Sequence, residues 1–272
     1  MAEFFSSLFT YPFLQRAMLA ALLCSIAFGI TGPFVVKKRL TFLAGGIAHA
    51  VMGGIGAAYF FRVDTTIGAI SAAILFSFIL TLSRNETNRN EDTIISTLWA
   101  AGMSLGVIFI YLTPGYTADL TSFIFGNILM VKSADLMLML LLDLVILILV
   151  TVFYYHFVYL SFDEDFLTLR SRRMKMIYFI LLSLISITVV ITIKIVGLIL
   201  VIALVTLPAV IAGLFTRSMR SLFAASILCG AVLSASGIFI SYTLNIPASA
   251  SIILLASSVY FLALGAKKVF SR

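Results

Sequence analysis

The chain has 272 residues, 62% of them hydrophobic and 11% charged, with a formal net charge of +7. A soluble domain carries about 25% charged residues, so an ordinary soluble enzyme or binding module is excluded. On so apolar a chain the positive charge points to the lysine and arginine bias of membrane loops rather than to nucleic acid.

Apolar runs recur from end to end, and runs of about 18 or more such residues read as transmembrane helices. The start, "MAEFFSSLFTYPFLQRAM", lacks the basic onset and small-residue cleavage site of a signal peptide. Phe4 to Phe13 read as a short interfacial segment. Spans are predicted at 17–36, 41–61, 67–83, 93–113, 134–157, 176–193, 197–214, 221–243 and 248–266. The fold class is therefore all-α: a polytopic transmembrane bundle of about 8–9 spans forming one domain over 1–272. The stretch 114–133 interrupts this series. Its apolar part, "LTSFIFGNILMV", is too short to span at about 1.5 Å per residue and reads as a re-entrant helix.

Charge sets the topology. With the "VVKKRL" loop placed in the cytoplasm and the spans alternating, the lysines and arginines fall on the cytoplasmic side, except Arg16, Arg62, Lys132 and Lys194. That bias puts the N-terminus outside and the C-terminus inside. A full span at 114–133 would break the alternation. Three cytoplasmic loops follow. "SRNETNRNED" ends in Glu91 and Asp92, acids that complement the dipole of the next helix. "FDEDFLTLRSRRMKM" is the longest charged stretch. "LPAVIAGLFTRSMRS" begins at a proline and ends in basic residues. Helical spacing of Ile211, Leu214, Phe215 and Met219 fits either a short surface helix or the frayed end of a span.

Several chemistries have no motif here. Without GxxxxGK[ST], the chain has no P-loop for ATP. It has no HExxH and no Ser/His/Asp set, and His49 and His156 are far apart in sequence. Cys24 and Cys229 lie within apolar runs without CxxC spacing and read as packing residues.

Two ionisable residues sit near mid-span, where each costs about 2.5–3.5 kcal/mol on insertion scales and marks a pathway or a pairing. His49 lies in "AGGIAHAVMGGIGAAYFF". Gly45, His49, Gly53 and Ala57 share one face, and Gly46, Ala50, Gly54 and Ala58 form a parallel ladder. Small residues at this spacing let helices approach closely and leave carbonyls near a ligand. His49 reads either as a structural histidine bonded across a helix interface or as a transient metal ligand or proton carrier in a path. Asp143, in "LMLMLLLDLVILILV", reads either as an anchor of a helix contact or as a group facing the same path as His49. Lys194 is expected to snorkel to the outer surface, with Lys132 and Asp135 solvated.

In order, "ITGPFVVKKRLTFLAGGIAHAVMGGIGAAYFF", "LTSFIFGNIL", "FDEDF" and the long C-terminal run from "KIVGLILVIALVTLPAVIAGLFTRSMRSL" to "SIILLASSVYFL" resemble the ABC-3 family. These are permeases of bacterial zinc, manganese and iron ATP-binding-cassette importers. The resemblance covers about Phe13 to Leu264. The C-terminal part is similar to permeases of the vitamin B12 and siderophore importers. It implies a homodimer with a path on the two-fold axis, two cytoplasmic ATPase subunits and an extracellular metal-binding protein. It also implies no enzymatic activity in this chain and no permanent cofactor, only a transported divalent metal ion. Within it, 207–221 resembles the segment that couples to the ATPase, with Pro208, Arg217 and Arg220. His49 matches the histidine of a "D-x-x-x-H-A" pattern whose acid is here replaced by Gly45, which leaves Asp143 as the candidate carboxylate. His49 and Asp143 are the expected path residues, and Gly45, Gly46, Gly53 and Gly54 the expected small lining. A permease for a metal chelate such as a siderophore or haem, a secondary transporter, and a non-transporting scaffold or sensor are the alternatives.

Overall fold

The structure, a computed structural model, describes residues 2–83, 91–113, 126, 128–162 and 173–270. Those residues are almost entirely helical, with no strand among them. The helices are α1 (Ala2–Thr10), α2 (Pro12–Lys37), α3 (Thr41–Phe61), α4 (Thr65–Leu82), α5 (Glu91–Leu112), α6 (Ser133–Val152), α7 (Tyr154–Phe162), α8 (Met174–Val196), α9 (Leu198–Gly213), α10 (Met219–Leu244) and α11 (Ala248–Phe270), with a 3-10 turn at Ile128–Met130. Eight of them are long and apolar enough to cross a bilayer, and α9 is a shorter apolar helix.

The chain divides into two compact units. One comprises 1–36, 121–151 and 192–272; the other comprises 37–120 and 152–191. In the first unit α2 is buried along most of its length because small residues occupy several of its faces. Gly29 meets Ile227 of α10, Gly32 meets the Val205 carbonyl of α9, and the Phe34 and Phe223 rings lie 5.3 Å apart. Helices α9, α10 and α11 pack around Ile211, Leu233 and Ala256. In the second unit α3 lies between α4 and α5, and α8 is tied to α4 by the buried Ser77–Ser186 hydroxyl pair at 2.8 Å.

Local chemistry explains the helix ends. Glu91 and Asp92 open α5 as the dipole argument expects. The Asp64 carboxylate caps α4 by accepting the Thr66 and Ile67 amides at 2.8 and 3.3 Å. Between α8 and α9 the backbone turns at Gly197, whose φ of 88° a side chain would resist.

Three expectations change. The predicted span 134–157 is not one helix: it stops at Val152 and restarts at Tyr154. The run Val150 to Phe157 is rich in β-branched and aromatic residues, which hold a helix weakly. The chain also passes from one unit to the other there. The second is at 207–221, where two readings stood open: no separate short helix forms, and the segment is the end of one span and the start of the next. Pro208 is buried inside α9, the chain turns after Gly213, and the Ser218 hydroxyl accepts the Ser221 amide at 3.3 Å to start α10. Ile211 and Met219 are buried while Phe215 is 67% exposed, so the four apolar residues do not make one surface face. Pro208 leaves the carbonyl one turn before it without an intrahelical amide, a loss that membrane helices tolerate where the backbone is covered by protein. Third, Lys194 does not simply snorkel: its ammonium lies 3.7 Å from the Asp135 carboxylate. Of the expected re-entrant stretch only 126 and 128–131 are described; the loops 84–90, with Arg84 and Arg89, and 163–172, with Arg170 and Arg172, lie outside the described residues.

Candidate functional site

The surroundings of His49 begin with the glycines of α3. Helices α3 and α5 run parallel and touch through backbone. A Cβ on Gly53 would stand 2.8 Å from the Gly102 carbonyl oxygen, and one on Gly56 2.7 Å from that of Gly106. Gly46 faces the Ile95 side chain in the same interface. On the next face Gly54 and Gly68 each meet the other's carbonyl, which brings α4 against α3. The glycines expected to line a path thus spend these faces on helix packing: Gly46 and Gly53 against α5, Gly54 against α4. A side chain at any of them would push the helices apart. Gly45 is half-buried, and its carbonyl has another task.

That task is to hold His49. The imidazole Nδ1 lies 2.7 Å from the Gly45 carbonyl oxygen, one turn back. A carbonyl only accepts, so Nδ1 carries the hydrogen and donates it, and the neutral ring presents its lone pair at Nε2. The ring stacks on Trp99 of α5, with centroids 4.4 Å apart and planes 26° from parallel. Trp99 is fixed in turn by its indole N–H, which donates to the Met103 sulfur at 3.1 Å. His49 is therefore a half-buried, oriented imidazole whose tautomer suits a late first-row cation. The carbonyl of Gly45 performs the orienting that a carboxylate at that position would otherwise offer. Among the described residues there is no cluster of three or more histidine, cysteine or acidic side chains placed to hold a metal.

Asp143 differs in every respect. It belongs to the first unit and His49 to the second. On α6 the buried residues are Met139, Leu142, Asp143, Ile146 and Val150, a stripe at helical spacing. Asp143 thus points to the protein side of an otherwise leucine-rich helix. It is 4% exposed, and neither carboxylate oxygen has a hydrogen-bond partner among the described residues. A buried polar group without a partner is costly, so the position calls for a proton or a cation.

The remaining expected residues separate. Pro208 is an interior residue of α9, Arg217 lies in the turn after it, and Arg220 lies in the first turn of α10. Cys24 and Cys229 are free. Trp99, the single tryptophan of the chain, belongs to no motif of the sequence. The signal available was its place on the span after next, where a parallel helix can return to the level of His49.

A model of the ABC 3 transport family matches residues 10–267. A "Probable metal transport system membrane protein" of Chlamydia muridarum is 38% identical over 264 residues, covering 94% of this chain and 90% of that protein. The "Manganese import system permease protein ScaB" of Streptococcus parasanguinis is 31% identical over 260 residues, covering 96% and 92%. Among solved structures, PsaBC from Streptococcus pneumoniae in complex with Fab superposes with a TM-score of 0.83 at 31% identity, covering 96% of this chain and 94% of that one.

Proposed function

This chain belongs to the ABC 3 transport family, and on that premise we propose that it is the permease subunit of an importer for a divalent transition-metal ion. Relatives named for metal transport and manganese import, matched nearly end to end, support that substrate class and favour manganese over zinc or iron. The observation that carries the reading is His49: an imidazole deep in a span, its tautomer fixed by Gly45 and its ring held by Trp99.

In this reading the path forms between two copies of the permease. A dehydrated cation binds briefly at His49 Nε2, and Asp143 supplies negative charge elsewhere along the route. A single imidazole per protomer holds an ion weakly enough to release it, which conduction requires. An extracellular metal-binding protein delivers the ion. ATP is hydrolysed by separate cytoplasmic subunits, and the segment 207–221, with Arg217 and Arg220, receives their motion. The lysine and arginine bias supports an outer N-terminus and a cytoplasmic C-terminus.

The test is uptake into proteoliposomes holding the permease, its ATPase and its binding protein, with manganese, zinc and iron in competition. We expect ATP-dependent manganese uptake. We expect His49→Ala to lower it at least about 10–100-fold, the loss that even indirect disturbance of a metal ligand brings. Flux that needs a gradient but no ATPase would instead mark a secondary transporter, and uptake of chelated metal alone a chelate permease.

A further inference from the structure

The second unit carries a cavity of about 570 Å³ between α3, α4 and α5, away from any polar cluster. Its floor is made of glycine and alanine, including Gly54, Gly68 and Gly102, and its walls include Phe61, Leu75 and Leu105. These three wall residues are 51–65% exposed, so the cavity opens sideways as a groove. Among the described residues Ser71 is the one polar side chain lining it, and its hydroxyl already donates to the Ile67 carbonyl at 2.7 Å. With its hydrogen already donated, the Ser71 hydroxyl can only accept, so a hydrated ion, sugar or peptide would lose most of its partners on entry. A methylene chain loses nothing.

Length and the character of one end narrow the occupant further. On α3 the lining runs from Ala50 to Phe61, and on α5 from Leu98 to Phe109. At about 1.5 Å per residue each is about 16 Å, close to the ~15 Å depth of one leaflet of a ~30 Å hydrocarbon core. One end is closed by an apolar cluster in which the Phe60, Phe61 and Phe109 rings lie 5.1–6.1 Å from one another, and α3 ends there. Between the lining residues Phe61 and Val63 sits Arg62, exposed, in the left-handed conformation that ends α3 with φ 57°. The neighbouring Asp64 directs its Oδ1 to the Thr66 and Ile67 amides of α4. The groove is apolar for the depth of a leaflet and cationic at its Arg62 end.

We propose that this groove is a phospholipid site, taking one acyl chain along α3, α4 and α5 with the lipid phosphate at Arg62, and preferring anionic lipid. The site belongs to the second unit alone and does not depend on which cargo the permease carries.

The experiment uses the full chain in phosphatidylcholine vesicles containing a little phosphatidylglycerol with a diazirine on one acyl chain. Labelled residues are mapped by mass spectrometry. Labelling should concentrate on groove positions such as Leu75, Ala101 and Leu105. Ala101 is exposed in the groove, so Ala101→Phe fills it without disturbing helix packing. It should lower groove labelling about ten-fold relative to the rest of the chain, as for the loss of two buried methylenes. Arg62→Gln should cut the preference for phosphatidylglycerol over a phosphatidylcholine probe about five-fold. Labelling spread over all exposed helices in proportion to their exposure overturns the proposal. So does groove labelling unchanged by Ala101→Phe, or by Ser71→Phe if the first variant does not accumulate. A Leu105→Cys variant that crosslinks completely to a second copy and excludes the probe also overturns it, since a partner chain then fills the groove.

Discussion

Helices α3 and α6 each bury one ionisable residue near mid-span, and they do so in opposite ways. α3 is built from glycine and alanine, touches its neighbours through backbone, and gives His49 a carbonyl for Nδ1 and an indole for its ring. α6 is built from leucine, isoleucine and methionine, and gives Asp143 a buried place with no hydrogen-bond partner. Small residues bring polar backbone within reach of a side chain, whereas large apolar ones fill that space with hydrocarbon. His49 is therefore a positioned group and Asp143 an unanswered one.

Asp143→Leu offers the sharpest way to break that contrast. Removing an unpartnered carboxyl from the apolar interior should raise stability in detergent by up to about 3 kcal/mol, seen as a higher unfolding midpoint, while metal uptake falls. A lowered midpoint would show that Asp143 fastens helices instead. Next, Gly56→Val should lower the midpoint by about 1–3 kcal/mol through overpacking of α3 against the Gly106 backbone, with protein yield falling in parallel. A smaller loss, about 0.5–1.5 kcal/mol, is expected for Trp99→Ala, which removes the His49 stack. Trp99→Phe keeps a ring there and should restore most of both stability and uptake. An uptake equal to wild type in Trp99→Ala would separate ring stacking from ligand positioning. The smallest effect belongs to Lys194→Ala. Lys194 is half exposed, its pair with Asp135 is 3.7 Å long, and a surface pair contributes about 0–1 kcal/mol, so the midpoint should barely move, and less still in high salt.

The sequence made the helix count and the chemistry of the spans legible because bilayer burial constrains every residue of a span independently of its neighbours. Glu91 and Asp92 were correctly placed at the start of a helix by dipole complementarity alone. The small-residue ladders of α3 were legible as packing surfaces, yet their partners were not. Nothing in the primary order says that Gly53 meets Gly102 or that Trp99 lies on His49. The break at Phe153 was hidden because hydropathy measures apolarity and is blind to the direction of the helix axis. Pro208 stands at the head of the 207–221 segment in the sequence, yet it is buried inside α9, within the span predicted at 197–214.

What the sequence by itself determined is therefore a multi-pass helical membrane protein of a transport family, with a histidine and an aspartate in the apolar interior. Those facts follow from the cost of burying charge and open backbone in hydrocarbon, which acts residue by residue. The tertiary structure decided which nitrogen of His49 is free, why the glycines are needed, that Asp143 lies on a buried stripe without a partner, and that a groove one leaflet deep runs beside α3. Each of these depends on which helices are neighbours, and close packing is a property of pairs of surfaces that no single span encodes.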